Sequence, residues 1–459
     1  MPDIASLIAE LRRAPLSSAA ELIRALQLRS QTSFSRLVTS AGPQIVPVGR
    51  ARARRYAAAR DIRGLGHTLP LFRVDIHGTL TRIATVRPYA PEGFFVEGEA
   101  ALPRWMQGQH SDGIFEGLPV FLADQRPQGF LGRTFARRNA AFGLPDKLED
   151  WSDDDATVAL SKAGEDAIGD LVLGDESARQ LYSKWAEDPK IISFADRTIA
   201  YPKMADEAIS GVMPGSSAGG EQPKFGAVVG DPASPTQVLV KFSPREDSAT
   251  SRRWRDLLVC EHLALQTLRM HEFPTADSEI IEGGARMFLQ TTRFDRVGAR
   301  GRVPVVTLFA MNGEYIGMAP ATGHWLEAAE RLEAGRWLLP STVAQVGKLK
   351  WFGQFIANTD MHFGNLSLIP EADGLMTLAP AYDMLPRYYA PVGNDLPHRK
   401  FVPPIPVPGQ EAAWFEVGER AIEFWELAAY DERISAPFHT MAAENAVAIQ
   451  NAITRFSRG

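Results

Sequence analysis

A lysine stands near the end of a strongly apolar run, Gln237-Val238-Leu239-Val240-Lys241-Phe242. A run of this length and composition predicts a buried strand, and an ammonium buried there without an anionic partner is too costly to keep. Any fold of this chain must therefore bring a carboxylate to Lys241 from another element. About twenty residues on, the long amphipathic candidate helix 254–270 contains Glu261.

Further features line up with this pair. Upstream, Ser216-Ser217-Ala218-Gly219-Gly220-Glu221-Gln222-Pro223-Lys224-Phe225 reads as a small-residue loop entering a strand. Gly219 and Gly220 let backbone amides approach an anion closely. The spacing to Lys224 and the lack of a following Ser or Thr exclude a Walker A loop. Residues 285–294, including Gln290, read as a strand running into a hinge. Val343, Val346, Leu349, Phe352 and Phe355 then mark a buried helix ending in Asn358-Thr359-Asp360-Met361-His362-Phe363-Gly364-Asn365. Asp360 and Asn365 have the spacing of the catalytic aspartate and metal-binding asparagine of a protein-kinase catalytic loop. A hairpin over 366–369 and 376–378 leads to Pro380-Ala381-Tyr382-Asp383, where a second metal-binding carboxylate belongs. The Tyr-Asp-Met setting differs from the usual Asp-Phe-Gly. Strand lysine, helix glutamate and then these three residues follow the order in which kinases assemble a phosphoryl-transfer site.

Composition narrows the alternatives. With 459 residues, 45% hydrophobic and 23% charged, the chain has material for several domains and resembles neither a disordered nor a collagen-like sequence. The lone Cys260 excludes an internal disulfide or a cysteine zinc cluster and reads as a buried, inert thiol. His262, His271 and His362 make no HExxH site, and His362 is expected to support its loop by hydrogen bonding. No run reaches the roughly 18 apolar residues of a membrane span, so a cytoplasmic location without membrane partners is expected. The acidic run Glu149, Asp150, Asp153, Asp154 and Asp155 reads as a solvated loop opening a capped helix rather than a metal site.

Charge is unevenly spread. Residues 1–60 hold ten arginines against three acids, a local balance of +7 in a chain of −6 that leaves −13 for the remainder. Leu7, Ile8 and Leu11 have helical spacing; Ser18 and Glu21 form a capping-box pair before a second helix, and Ser30 or Gln31 opens a third. Its polar positions Thr32, Ser33, Ser35 and Arg36 are free for bases or phosphates. A hairpin around 45–56 carries Arg50, Arg52, Arg54 and Arg55. Three helices and an arginine-rich hairpin resemble a winged helix-turn-helix, in which a helix enters the major groove of double-stranded DNA and the hairpin lies on the backbone.

From the middle of the chain to its end, the motifs quoted above resemble the HipA family of bacterial serine/threonine kinases, the toxins of some toxin-antitoxin systems. The YjjJ-like subgroup with its own N-terminal helix-turn-helix domain accounts for the whole length. The resemblance implies ATP and Mg2+ as cofactors. It makes Asp360 the catalytic carboxylate and Asn365 and Asp383 the metal ligands, with Lys241 on the nucleotide phosphates and Glu261, Gln290, Gly219, Gly220 and Lys224 in the ATP site. It also implies self-limiting autophosphorylation in the Gly-rich loop, at Ser217 first and Ser216 second. The acceptor is a Ser/Thr protein whose identity no motif reveals, and growth arrest is the expected phenotype. A separate antitoxin, usual in the family, is in question because the DNA-binding module is fused; a homodimer on an operator is physically reasonable.

The expected architecture is thus α+β: a winged helix-turn-helix (1–60), a HipA-like N-terminal subdomain (61–205), a kinase N-lobe (206–295) and a helical C-lobe (296–459). Two other readings keep parts of it: a kinase of a small molecule, and a DNA-bound regulator with a catalytically idle kinase fold.

Overall fold

A computed structural model describes residues 2–49, 54–187, 189–210, 222–319 and 324–457. The N-terminal module follows from local capping. Asp3 caps α1 (Ile4–Arg13), Ser18 and Glu21 form the reciprocal capping box of α2 (Ala19–Ala25), and Ser30 caps α3 (Gln31–Ala41). β1 (Ser17–Ser18), β2 (Ile45–Val48) and β3 (Arg55–Ala58) form an antiparallel sheet in the order β1-β3-β2. Leu7, Leu11, Leu22, Phe34 and Ile45 close a small core between helices and sheet.

The middle unit is a five-stranded antiparallel sheet of order β7-β6-β5-β4-β8, built from β4 (Leu69–Val74), β5 (Leu80–Tyr89), β6 (Gly93–Gly98), β7 (Ile114–Phe115) and β8 (Leu171–Leu173). The N-terminal module packs on it, with Val46, Val48 and Ala57 sharing a cluster with Tyr89 and Phe95. Around the sheet lie α4 (Val120–Ala123), α5 (Gly129–Arg138), α6 (Asp153–Ala163) and α7 (Asp175–Ala186). The stretch 129–133 opens α5. A Cβ at Gly132 would lie 2.6 Å from the Pro127 backbone, so that glycine serves a close helix approach. The acidic run is solvated only in part: Glu149 and Asp150 are exposed, whereas Asp155 is buried in the capping box that Ser152 forms at the start of α6, and Asp153, Asp154 and Asp155 pair with Arg126, Arg60 and Arg63.

The next sheet has the order β12-β13-β11-β10-β9, comprising β9 (Ile191–Ile192), β10 (Lys224–Asp231), β11 (Ser234–Phe242), β12 (Ser278–Gly283) and β13 (Arg286–Thr292). On one face lies α8 (Arg197–Ser210), whose Tyr201 meets Phe225 and Phe288 edge-on. On the other lies α9 (Ala249–Met270). Residues 191–205, grouped by sequence with the middle unit, are therefore built into this sheet: β9 pairs in parallel with β10 and α8 covers its hydrophobic face.

The segment leaving β13 is fastened to the middle unit by buried charges. Arg293 and Arg296 flank Asp295 at 2.9 and 2.5 Å, both reach Asp166, and Asp295 accepts from the Gly169 amide at 3.0 Å. Burial pushes the Asp295 pKa up, but Arg293 and Arg296 reverse this and hold it well below the ordinary value. Burial, reinforced by Arg293, lowers Arg296 to about 9.

The remaining strands are short: β14 (Arg296–Val297) with β15 (Gly301–Arg302), and β16 (Val306–Thr307) with β17 (Ser367–Pro370) and β18 (Met376–Leu378). The C-terminal part is helical: α10 (Leu308–Met311), α11 (Trp325–Ala334), α12 (Pro340–Phe355), α13 (Glu411–Tyr430) and α14 (Ala436–Phe456). Trp325, Trp351, Phe355, Trp414, Phe424 and Trp425 fill its core. Among the described residues no helix is long and apolar enough to cross a membrane.

Candidate active site

Strand alternation decides what can meet. On β11, Val238, Val240 and Phe242 turn into the aromatic cluster under α8, so Lys241 must point to the opposite face, toward α9. Lys224 of β10 pairs with Lys241 in register and shares that face. Two lysines side by side repel, and here carboxylates from two other elements balance them.

Lys241 Nζ donates to both oxygens of Glu261 on α9, at 2.6 and 2.8 Å, and also to Asp383 Oδ1. Lys224, Lys241 and Glu261 are 2%, 4% and 1% exposed, so these are buried charges that hold only as a set. Burial pulls the Lys241 pKa down, but Asp383 and Glu261 outweigh it and raise the pKa above the usual lysine value. Burial likewise pushes Asp383 up, and Lys241 followed by Lys224 brings it down to about 2. Burial raises Glu261, with Lys241 opposing.

The catalytic-loop candidates come together through Asn358. Its side-chain oxygen accepts from the Asp360 amide at 3.0 Å, and its amide nitrogen donates to the Asp383 carbonyl at 3.2 Å. One buried side chain thus ties the loop holding Asp360 to the segment holding Asp383. Asn365 Nδ2 donates to the Asp360 carbonyl at 2.8 Å, a bond that does not use the Asn365 side-chain oxygen. His362 Nδ1 accepts from the Gly364 amide at 3.0 Å and caps the short Phe363–Asn365 turn, so this nitrogen is the unprotonated one. Asp383 sits at φ +54°, a left-handed backbone that aspartate tolerates better than most residues. Tyr382 fixes the approach to it, donating to the Gly364 carbonyl and stacking on Phe294. The Asp360 side chain remains 47% exposed, with Arg387 Nε 3.9 Å from its Oδ2.

Lys241, Glu261 and Asp383 therefore meet directly, Lys224 lies beside Lys241 in register, and Asp360 and Asn365 join them through side-chain-to-backbone bonds made by Asn358 and Asn365. Gln290 does not. It pairs in register with Val240, so its side chain lies on the sheet's other face, where its oxygen accepts from Arg197 and Tyr201 at 3.0 and 2.5 Å. Gly219, Gly220, Ser216 and Ser217 lie outside the described residues, as do Arg50 and Arg52. On α3, Thr32, Ser35 and Arg36 are exposed, while the Ser33 hydroxyl meets the capping Ser30; Arg54 and Arg55 are exposed at the start of β3. Cys260 is buried, and burial raises its thiol pKa. Sequence reasoning assigned no role to Asn358, Tyr382 or Arg387. Asn358 carried a signal, as the first residue of the polar loop, but its bond to Asp383 spans 25 residues.

Residues 216–452 match the family described as HipA-like C-terminal domain, and residues 65–182 match the YjjJ-like toxin, middle domain. Toxin YjjJ of Escherichia coli (strain K12) is 36% identical over 433 residues, which cover 93% of each chain. Among solved structures, HipA of the Shewanella oneidensis MR-1 toxin-antitoxin system, determined with HipB and operator DNA, superposes with a TM-score of 0.52 at 14% identity, covering 84% of this chain and 97% of that one. The Helicobacter pylori proinflammatory kinase CtkA matches 51% of this chain and 95% of its own at 10% identity, with a TM-score of 0.35.

Proposed function

The chain belongs to the HipA family, in its YjjJ-like branch, and on that premise we propose that it is a toxin acting as an ATP- and magnesium-dependent protein serine/threonine kinase. The observation that carries the reading is Lys241, which meets Glu261 and Asp383 at once while Asn358 binds Asp383 to Asp360. A buried lysine fixed by a helix glutamate suits nucleotide phosphates. The half-exposed Asp360 suits a carboxylate that orients an acceptor hydroxyl and takes its proton.

The donor set fits magnesium. Among the described residues no cluster of three or more His, Cys, Asp or Glu side chains is arranged to hold a metal. Magnesium is commonly held by one or two protein oxygens together with water and phosphate, here the Asp383 carboxylate and the Asn365 side-chain oxygen. When bound, the ion offsets charge on the transferring phosphoryl group. Asp383, now held by Lys241, would be the carboxylate to hold the ion, and Lys241 would then serve the nucleotide phosphates.

The test uses purified protein with gamma-labelled ATP and Mg2+, beside Asp360→Asn, with phosphosites mapped by mass spectrometry. Label in the wild type and none in the variant supports the kinase, and label on Ser217 or Ser216 supports self-regulation by the loop. Absence of label from dephosphorylated protein and from added cell extract overturns the reading. Induced expression that slows growth only when Asp360 is intact tests the toxin assignment.

A second function is favoured by the N-terminal module. Its three helices and three-stranded sheet, with Thr32, Ser35 and Arg36 exposed on α3 and Arg54 and Arg55 beside it in an otherwise acidic chain, support a winged helix-turn-helix that binds operator DNA. Mobility shifts with genomic fragments upstream of the gene test this, and salt-insensitive or absent binding overturns it.

A further inference from the structure

The segment from Asp383 to α13 carries a surface that no step above uses. Residues 385–410 contain only the short Arg387–Tyr389 turn and an isolated Val392–Asp395 bridge as regular structure. Yet one stretch is stiff. From Val402 to Pro408, in Val402-Pro403-Pro404-Ile405-Pro406-Val407-Pro408, every residue is a proline or precedes one. Proline fixes its own φ, and its ring keeps the preceding residue out of the helical region, so the stretch is held extended. It is also anchored. The Pro404 carbonyl accepts from Trp414 Nε1 at 3.0 Å, and Phe401 packs on Trp425.

In an extended polyproline backbone, residues three apart share a face. Val402 and Ile405 share one, and it is turned to solvent: they are 78% and 69% exposed, and Val407 is also exposed. Scattered single apolar residues need no explanation, but a fixed apolar ridge does. The charge of the segment is equally one-sided. Arg387, His398, Arg399 and Lys400 face only Asp395 among its acids, in a chain whose net charge is −6. His398 and Lys400 are exposed.

Ridge and active site are continuous. The Lys400 carbonyl accepts from the Tyr388 hydroxyl at 3.4 Å, and the Arg399 guanidinium lies 5.2 Å from the Tyr388 ring centre and donates to the Tyr388 carbonyl. The next residue back, Arg387, lies beside Asp360 and 5.2 Å from the Trp254 ring centre. A polypeptide seated on the ridge thus follows a basic track that ends at the carboxylate proposed to activate the acceptor hydroxyl.

We propose that residues 387–408 form the docking surface for the acceptor protein, which binds as an extended segment with apolar side chains against Val402 and Ile405 and acidic side chains toward Lys400 and Arg387. This rests on the kinase reading and adds the acceptor's chemical class. Charge complementarity selects the occupant: exposed valine and isoleucine offer nothing to a nucleic-acid backbone, whereas a preformed, low-entropy ridge suits an extended peptide.

The test presents an array of serine-centred synthetic peptides, varied in Glu, Lys and Leu at flanking positions, to the full-length protein. Phosphate incorporation by the wild type and retention of Asp360→Asn protein are both read. Expected is a preference for peptides with acidic and apolar flanks, roughly fivefold per acidic position, the ratio of about 1 kcal/mol for an exposed ion pair. Lys400→Glu reverses the preference at one position. Val402→Asp with Ile405→Asp, both at exposed sites and so compatible with folding, raises KM for peptide without changing KM for ATP. Phosphorylation with no flank preference, or a preference that survives these substitutions, overturns the docking surface and leaves the kinase reading intact. Where no peptide is phosphorylated, retention on acid-apolar peptides still supports the surface, the loss falling on the kinase reading alone, and lack of retention overturns the surface. A dimer in light scattering that Ile405→Asp dissociates also overturns it, assigning the ridge to a second copy of this chain.

Discussion

Replacing Lys241 by methionine removes a cation that donates to both Glu261 and Asp383. At 2.6–2.8 Å, an ammonium and a carboxylate attract by about 6 kcal/mol at an effective dielectric near 20. Much of that offsets the cost of taking both ions out of water, and breaking a buried pair from one side costs about 3–5 kcal/mol because it strands the survivor. Glu261, 1% exposed, has no route to solvent, whereas the Asp383 side chain is 21% exposed; Lys224 acts on both carboxylates and so does not distinguish them. The stranded charge is thus mainly Glu261. Lys241→Met is expected to lower the thermal midpoint clearly, and Lys241→Met with Glu261→Leu to recover most of the loss, since a buried pair replaced by apolar side chains is often near neutral. The pH dependence has a definite sign. A glutamate stranded in the fold has its pKa raised above the unfolded value, so the single variant is most stable at acid pH and loses stability as pH rises through the raised pKa. Its deficit against wild type should be smaller at pH 5 than at pH 8 in differential scanning fluorimetry. A single variant that melts with wild type, or a double variant less stable than the single, refutes the buried-pair argument.

Three other predictions follow from particular contacts. Asn358→Ala breaks the tie between Asp360 and Asp383, so in the labelled-ATP assay kcat should fall by roughly 100-fold, with KM for ATP changed little and folding weakened by about 1–3 kcal/mol. Asp295→Asn leaves Arg293 and Arg296 facing each other in a buried site, and urea unfolding should show a loss of about 3–5 kcal/mol; an unchanged midpoint contradicts the charge cluster. Arg36→Ala should weaken DNA binding measured by fluorescence anisotropy and reduce the magnitude of the salt slope by about one if the side chain meets a phosphate. An unchanged slope with altered sequence preference assigns it to a base instead.

Legibility in the sequence followed the range of the interaction. The capping box at Ser18 was readable because both partners sit on one turn. So was the Lys241–Glu261 pair, since a lysine in an apolar strand demands an acid and the next long helix offers one. Gln290 was placed in the nucleotide site on strand order alone; its side-chain face depends on the register between β11 and β13, which no local pattern states. Residues 191–205 were assigned to the wrong neighbour because a two-residue parallel pairing leaves no periodic signal.

The sequence by itself determined the inventory and its order: the buried lysine with its helix glutamate, the Asp360–Asn365 interval, the later Asp383 and the arginine-rich head. Each rests on residue chemistry or on spacing within one element. Only the tertiary structure decided that Lys224 lies beside Lys241, that Asp383 reaches Lys241 from 142 residues away, that Asn358 holds the two aspartates together, and that Arg387 ends beside Asp360. These juxtapositions depend on strand register and on how helices and loops cross the sheet. Those are set by the sum of many packing contacts, so no short stretch of sequence encodes them.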